Sequence, residues 1–286
     1  MTATTVIDAH QHLWNLDRAR YDWLGPEQAP INRTIEWPEL VPLMRQTPIA
    51  RTVLVQAADN AEDTTYMFEV ADAHPEVAGV VAWVPLDRPD DAADQLQDLG
   101  GRPRFAGIRN LIHDQPDPDW LLRPDVGRGL ALLEDAGVPF DVVAVLPRHL
   151  EHVATLSERY PGLRMVIDHL GKPPINGGPY EGGAARWREL ITRAAANPNV
   201  YAKVSGLYPA SGDQRAWTPH DLRPYVDHAV EAFGVHRLMF GSDWPVSEHA
   251  GGYVAVWHGL DRLFAELTPP ERAAVLHDTA VRFYRL

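Results

Sequence analysis

The feature that most constrains this chain is an alternation: short, β-branched apolar runs separated by longer stretches of helical pattern. Eight runs read as strands: Thr5–His12, Arg51–Gln56, Val77–Pro85, Phe105–Asn110, Pro139–Ala144, Arg164–Leu170, Val200–Gly206 and Leu238–Asp243. Most are apolar throughout, as expected of parallel strands covered on both faces. Helices are predicted between them at Leu40–Arg45, Glu62–His74, Pro89–Leu99, Pro124–Ala136, Pro147–Tyr160, Ala184–Ala196, Pro219–Phe233 and Gly252–Leu267. Their ends carry matching chemistry. Asp90 and Asp91 open one helix, where acidic side chains complement the dipole, and Gly137 follows another as a C′ glycine. Thr268 and Glu271 form a capping-box pair at the start of a further, final helix.

Eight strand–helix units in series predict a single-domain (β/α)₈ barrel of the TIM type over residues 1–286, with an extra C-terminal helix. The runner-up is a doubly wound open sheet. It is weakened because no G-x-G-x-x-G follows the first strand. The stretches Asp114–Asp119 and Gly171–Gly183 follow strands and read as long loops on the active-site rim.

Composition narrows the function. The net charge of −13 disfavours a nucleic-acid partner. With no cysteine, disulfides, thiolate metal sites and cysteine nucleophiles are excluded. Residues Met1 to Thr5 show no signal-peptide pattern, and no run approaches the ~20 apolar residues of a membrane helix. The expectation is a cytoplasmic enzyme without a membrane partner. The oligomeric state is open, a homodimer among the options.

Candidate chemistry sits at the strand ends. His10 and His12 are spaced i, i+2, which puts both on one face of a strand. Two such imidazoles can bind a metal or hold a substrate oxygen. His169 ends the sixth run. Asp243 ends the eighth and can accept a proton from water or ligate a metal; the alternative is a turn cap, a task that Ser242 could take instead. Arg109 offers a donor fork for a carboxylate or lactone oxygen, or for a structural ion pair. Lys203 lies inside an apolar strand, so it should face the lumen and pair with Asp243 or Asp141. Gln56, Trp83, Asn110, His113, Tyr208, Trp244 and Trp14 are candidates for lining the pocket. No G-x-S-x-G supplies a serine nucleophile, so activated water is the expected attacking group.

Taken together, six segments resemble the amidohydrolase superfamily in its amidohydrolase 2 branch, and within it the sugar-lactone and pyrone-dicarboxylate lactonases. They are Asp8–Trp14, Tyr21–Leu24, Gly107–Asn110, Asp168–Pro173, Lys203–Gly206 and Phe240–Pro245, with a similar last helix through Arg282 and Tyr284. The resemblance implies a distorted barrel that hydrolyses the lactone of a sugar acid or related carboxylate. It further implies His10, His12, His169 and Asp243 as ligands of one divalent ion, zinc, or a site that works without metal. Asp243, His169 and Lys203 are the implied catalytic groups. The fifth strand lacks the histidine found in the wider superfamily, and the fourth carries Arg109 instead of a bridging lysine or glutamate. A binuclear centre is therefore not expected. Two other readings stay open: a zinc-dependent non-oxidative decarboxylase, and a non-catalytic sugar-acid binding protein.

Overall fold

A computed structural model describes residues 5–177, 180–209 and 212–286. Residues 1–4 and positions 178 and 179 of the expected Gly171–Gly183 loop lie outside the described residues. The eight strands are β1 (Val6–Gln11), β2 (Ile49–Val55), β3 (Val77–Ala82), β4 (Phe105–Asn110), β5 (Phe140–Val142), β6 (Met165–Ile167), β7 (Val200–Val204) and β8 (Leu238–Phe240). Each pairs in parallel with its neighbour in sequence order. Helices α1 (Trp37–Met44), α2 (Ala61–Ala73), α3 (Pro89–Gly100), α4 (Pro124–Ala136), α5 (Pro147–Arg159), α6 (Gly183–Ala195), α7 (Pro219–Phe233) and α8 (Tyr253–Phe264) return the chain between strands and after the last. Gly137 takes the left-handed conformation beyond α4, as its C′ position requires. No helix among the described residues is long and apolar enough to cross a membrane.

The ring closes beyond the last regular residue of β8. The Asp243 amide donates to the His10 carbonyl at 2.8 Å, and the His12 amide to the Trp244 carbonyl at 2.7 Å. A buried carboxylate fastens this seam: Asp8 Oδ1 accepts from the amides of Ser242 (2.8 Å) and His10 (3.2 Å). The barrel is thus distorted where β1 meets β8.

The C-terminal segment forms α9 (Pro269–Ala273), a π turn and α10 (Thr279–Tyr284). Thr268 and Glu271 start it as expected, the Thr268 amide donating to Glu271 Oε2 at 2.9 Å. The segment plugs the barrel at the N-terminal ends of the strands. Arg164, just before β6, donates to the carbonyls of Phe283 and Gly137. Ala280, Phe283 and Tyr284 pack with Ile7, Val53, Val55, Val81, Val166 and Met239 to fill the lower lumen. Gly79 on β3 leaves room for this tail, since a Cβ there would fall 2.8 Å from Leu286 Cδ2.

Candidate active site

The first two histidines reach the lumen through an irregularity in β1. Asp8 pairs with Thr52 and Gln11 with Leu54, so β1 spends one residue more than β2 across this step. Such an extra residue re-aims the side chains that follow. Ala9 packs in the lumen cluster, yet the His10 and His12 Nε2 atoms also meet, 3.0 Å apart. The i, i+2 spacing gives the two histidines a common face, and the irregularity turns that face inward.

His169 and Asp243 are expected as the final residues of strands, but both strands stop earlier. Strand β6 ends at Ile167 and β8 at Phe240. His169 has φ 56° and Asp243 φ 58°, both left-handed. Non-glycine residues hold that conformation at some cost, and it recurs at functional sites. Gly206 packs against them with φ +55°; a Cβ on it would lie 2.5 Å from His169 Nδ1 and 2.8 Å from Asp243 Oδ2. Only glycine satisfies both the conformation and the space. The turn cap after β8 is Ser242, whose Oγ accepts from the Trp244 amide at 3.0 Å. The Asp243 carboxylate is therefore left to the site.

Four donor atoms converge there. Asp243 Oδ1 lies 3.5 Å from His12 Nε2 and 3.7 Å from both His10 Nε2 and His169 Nε2. A tetrahedral ion with ligand distances of about 2.0–2.2 Å separates its ligands by about 3.3–3.6 Å. The second nitrogens are committed in the way metal-binding imidazoles require. His12 Nδ1 meets the Val55 carbonyl at 2.8 Å, which can only accept, so the proton is on Nδ1 and Nε2 is bare. His169 Nδ1 meets Ser205 Oγ at 2.9 Å. His10 Nδ1 is 3.2 Å from Asp168 Oδ1 and 3.0 Å from Lys203 Nζ, while Arg109 Nη1 is 3.1 Å from its Nε2; Asp168 and Arg109 favour the proton on Nδ1, and Lys203 competes for the same nitrogen. Two bare Nε2 atoms 3.0 Å apart repel each other unless a cation lies beside them. His10, His12 and Asp243 form a group that could hold one divalent ion, with His169 Nε2 alongside at 3.7 Å from Asp243 Oδ1.

Beneath this cluster lies a second, charged layer. Lys203 Nζ is 2.5 Å from Asp141 Oδ2, 3.0 Å from Asp168 Oδ1 and 3.0 Å from His10 Nδ1. Arg109 Nη1 is 3.2 Å from Asp168 Oδ2. Burial drives the His10, His12 and His169 imidazoles down, His169 to about 3. Burial alone would raise Asp243, but His169, the hydrogen bond with His12 and Lys172 hold its carboxyl well below the usual range. Asp168 is likewise held low against its burial by Lys203, His10 and Arg109. Asp141 goes the other way, pushed by burial up to about 6 against the pull of Lys203.

Above the cluster opens a cavity of about 220 Å³. His12, His169, Asp243 and Arg109 form its polar floor; Trp23, Leu111, Val143, Val145 and Val246 give it apolar walls. Of the expected lining residues, Arg109 and His113 are on its surface. Tyr208 stands one bond behind, its hydroxyl donating to Asp243 Oδ2 at 2.6 Å. The structure corrects the others. Gln56 is buried and donates to the Arg109 carbonyl, and Asn110 donates to that of Val84. Trp14 is in the core, bonded to the Arg33 carbonyl, and Trp244 is buried against Glu248. Trp83 does not border the cavity either. Their positions near strand ends suggest the pocket, but the side chains of Gln56, Asn110, Trp14 and Trp244 are buried and bonded elsewhere. Lys203 is wholly buried, with Asp141 as its partner as expected, and it does not border the cavity. The ammonium at the cavity wall belongs to Lys172, which has φ 50° and donates to the Gly206 carbonyl at 3.1 Å. Lys172, Asp168, Trp23 and the rim valines are contributors that sequence reasoning did not single out. Alternation along a strand points Asp168 away from His169; the left-handed turn that cancels it leaves no trace in composition.

The comparisons with known proteins agree with this geometry. A family model described as amidohydrolase matches residues 7–286. An L-fucono-1,5-lactonase from Burkholderia ambifaria is 38% identical over 291 residues, covering 98% of this chain and 95% of the relative. The crystal structure of an amidohydrolase from Burkholderia multivorans with bound HEPES superposes with a TM-score of 0.90 at 33% identity, covering 99% of both chains. Another crystal form from the same organism, with bound zinc, gives a TM-score of 0.88 at 32% identity over 99% of both chains. The chain belongs to the amidohydrolase family.

Proposed function

We propose that this protein hydrolyses the lactone of a sugar acid, L-fucono-1,5-lactone or a close analogue, with water as the nucleophile. The observation that carries this reading is the gathering of three imidazole Nε2 atoms around Asp243 Oδ1, with His12, His169 and Asp243 on the floor of a small cavity and His10 buried behind them. The named activity of the Burkholderia ambifaria relative supports it.

His10, His12, His169 and Asp243 would hold one divalent ion, which we take to be zinc from the nitrogen-rich ligand set and the zinc-bound related structure. Such an ion supplies a more acidic water and a polarised carbonyl. The protein supplies the rest. Tyr208 fixes Asp243 Oδ2 by a hydrogen bond, which leaves Oδ1 facing the imidazoles. From there Asp243 takes the proton of the attacking water and returns it to the ring oxygen as that oxygen leaves. Held low, Asp243 is a weak base; it gives the proton up again readily, as the second half of the reaction requires. Arg109 and Lys172 line the cavity and can hydrogen-bond the substrate's oxygens.

The cavity bears on the substrate. Its volume of about 220 Å³ lies below the ~300–1,000 Å³ of sites for drug-sized ligands, so it suits one small ring. Arg109 is already paired with Asp168, which favours an uncharged lactone over a pyrone dicarboxylate. Strand β5 brings Asp141, held by Lys203, where a decarboxylase of this superfamily would be expected to carry a histidine.

A panel of aldonolactones and 2-pyrone-4,6-dicarboxylate, followed with a pH indicator, tests the proposal. Acid release from L-fucono-1,5-lactone or a neighbouring sugar lactone is the expected result. Carbon dioxide release from an aromatic acid without lactone opening would make it a decarboxylase. Saturable sugar-acid binding with no turnover would make it a binding protein.

A further inference from the structure

The C-terminal plug reaches past the apolar floor. Tyr284 is buried in the lumen, and its hydroxyl donates to Asp141 Oδ2 at 2.7 Å, the same oxygen that Lys203 Nζ meets at 2.5 Å. A phenylalanine would fill the same apolar socket, so the hydroxyl is what needs explaining; buried tyrosine hydroxyls find a partner because an unpaired one is costly. Here the partner lies one residue from the site. Asp141 holds Lys203, and Lys203 stands 3.0 Å from His10 Nδ1 and 3.0 Å from Asp168 Oδ1.

That position presents a choice of proton. If Lys203 donates to His10 Nδ1, the imidazole must carry its own proton on Nε2, the atom that faces His12 and Asp243. If Lys203 donates to the two carboxylates instead, His10 Nδ1 keeps its proton for Asp168 and Nε2 stays bare. Asp141 Oδ2, at 2.5 Å, and the charge of Asp168 Oδ1, at 3.0 Å, compete with His10 Nδ1 for the Lys203 ammonium. Asp141 is on the short strand β5, and Tyr284 holds it from below.

We propose that Tyr284 is a positioning residue of the active site: through Asp141 and Lys203 it keeps His10 in the tautomer whose Nε2 is bare toward His12 and Asp243. The C-terminal helix thereby both closes the barrel and sets one histidine at its opposite end. The proposal rests on His10 belonging to the functional site, as proposed above.

The test uses the full chain with zinc bound and two variants. Tyr284→Phe removes one oxygen and keeps the ring. Phe283→Leu weakens the packing of the same helix and leaves the hydroxyl. Three quantities are read for each: kcat on the lactone found by the panel, zinc retention against a chelator, and the imidazole ¹⁵N signals of His10, assigned by their loss in His10→Asn. Partners behind metal-binding histidines typically change activity or affinity ~10–100-fold, and for a contact two groups removed a loss of about tenfold is expected. Tyr284→Phe should lower kcat and zinc retention by that factor, leave KM within about twofold, and shift the His10 signals. Phe283→Leu should lower the melting temperature by as much or more and move none of the three. Wild-type kcat and unmoved His10 signals in Tyr284→Phe would overturn the proposal. So would equal losses in Phe283→Leu, which would mean that packing alone is at work. Should the wild-type protein open no lactone, the proposed function fails, and the His10 signals still decide the role of Tyr284.

Discussion

Between Phe283 and His10 the lumen of this barrel changes its chemistry. At the lower end, Phe283 and Ala280 pack with valines and isoleucine from four strands, and there the gain is that of removing apolar surface from water. At the upper end, His10, His12, Asp141, Asp168, Lys203 and Asp243 occupy the same lumen, each nearly or wholly buried. Burial opposes their charges: it lowers all three site histidines and raises Asp141. One end therefore holds the fold together, and the other spends part of that stability on keeping reactive groups dry and fixed. The left-handed backbone at His169 and Asp243, absent from the lower lumen residues, marks the same division.

If the division holds, a change at one end should leave the other's property alone, the Tyr284 hydroxyl excepted. The largest effect is expected at the mouth. Asp243→Asn keeps the shape of the side chain and removes the proposed proton carrier, so kcat should fall ~10²–10⁴-fold, while thermal melts show the protein still folded. Near-normal turnover would remove Asp243 from that role. Withdrawing zinc with a chelator should abolish most activity, readdition should restore it, and His12→Asn should retain less than one zinc per chain by elemental analysis. Full turnover by metal-free protein would instead make the histidines ligands of the substrate. At the floor the expectation reverses. Phe283→Ala opens a cavity in the plug and should cost about 3–5 kcal/mol of stability in denaturant titrations, a typical value for a buried phenylalanine. The folded fraction should turn over at the wild-type rate, and a matching loss of kcat would erase the distinction between the ends.

The two ends also differ in how legible they are in sequence. The strands of the floor are continuous apolar runs, and their order, their helices and the capping-box helix after them follow from pattern alone. Parallel strands buried on both faces leave that signature because nothing polar can replace their side chains. The mouth is harder. His10, His12, His169 and Asp243 stand out as polar residues at the ends of apolar runs, and the structure brings all four together. Their aim does not follow from periodicity: His10 depends on an extra residue in β1, and His169 and Asp243 on left-handed turns past the ends of β6 and β8. The same irregularity explains the aromatic residues and amides misplaced in the pocket. Trp14, Trp83, Trp244, Gln56 and Asn110 sit close to strand ends, but Trp14, Gln56 and Asn110 turn toward carbonyls 19 to 53 residues away in the chain and Trp244 toward Glu248.

The smallest expected effect sharpens the comparison at its outer edge, because the loops of the mouth are tied by exposed charge where the floor is tied by apolar packing. After β4 the chain passes Leu111 and His113 on the cavity and then reaches Asp119, which anchors the loop to α5. Arg148 grips both carboxylate oxygens of Asp119, at 2.7 and 3.1 Å, and His152 Nε2 is 2.9 Å from one of them. Arg148 first, then His152, lowers the Asp119 carboxyl from its ordinary 3.8 to about 2. A carboxyl lowered on folding adds stability that is complete above its unfolded pKa and is lost as pH falls through the folded one. The contribution of this anchor should therefore be intact above about pH 4 and gone by about pH 2. Exposed pairs of this kind contribute little, so Asp119→Asn should lower the melting temperature only slightly at pH 7, with a modest rise in KM from the loosened rim and an unchanged kcat. Melts of the variant and the wild type should converge as the pH falls from 4 to 2; a gap that persists at pH 2 would mean that the loop is held by packing rather than by charge.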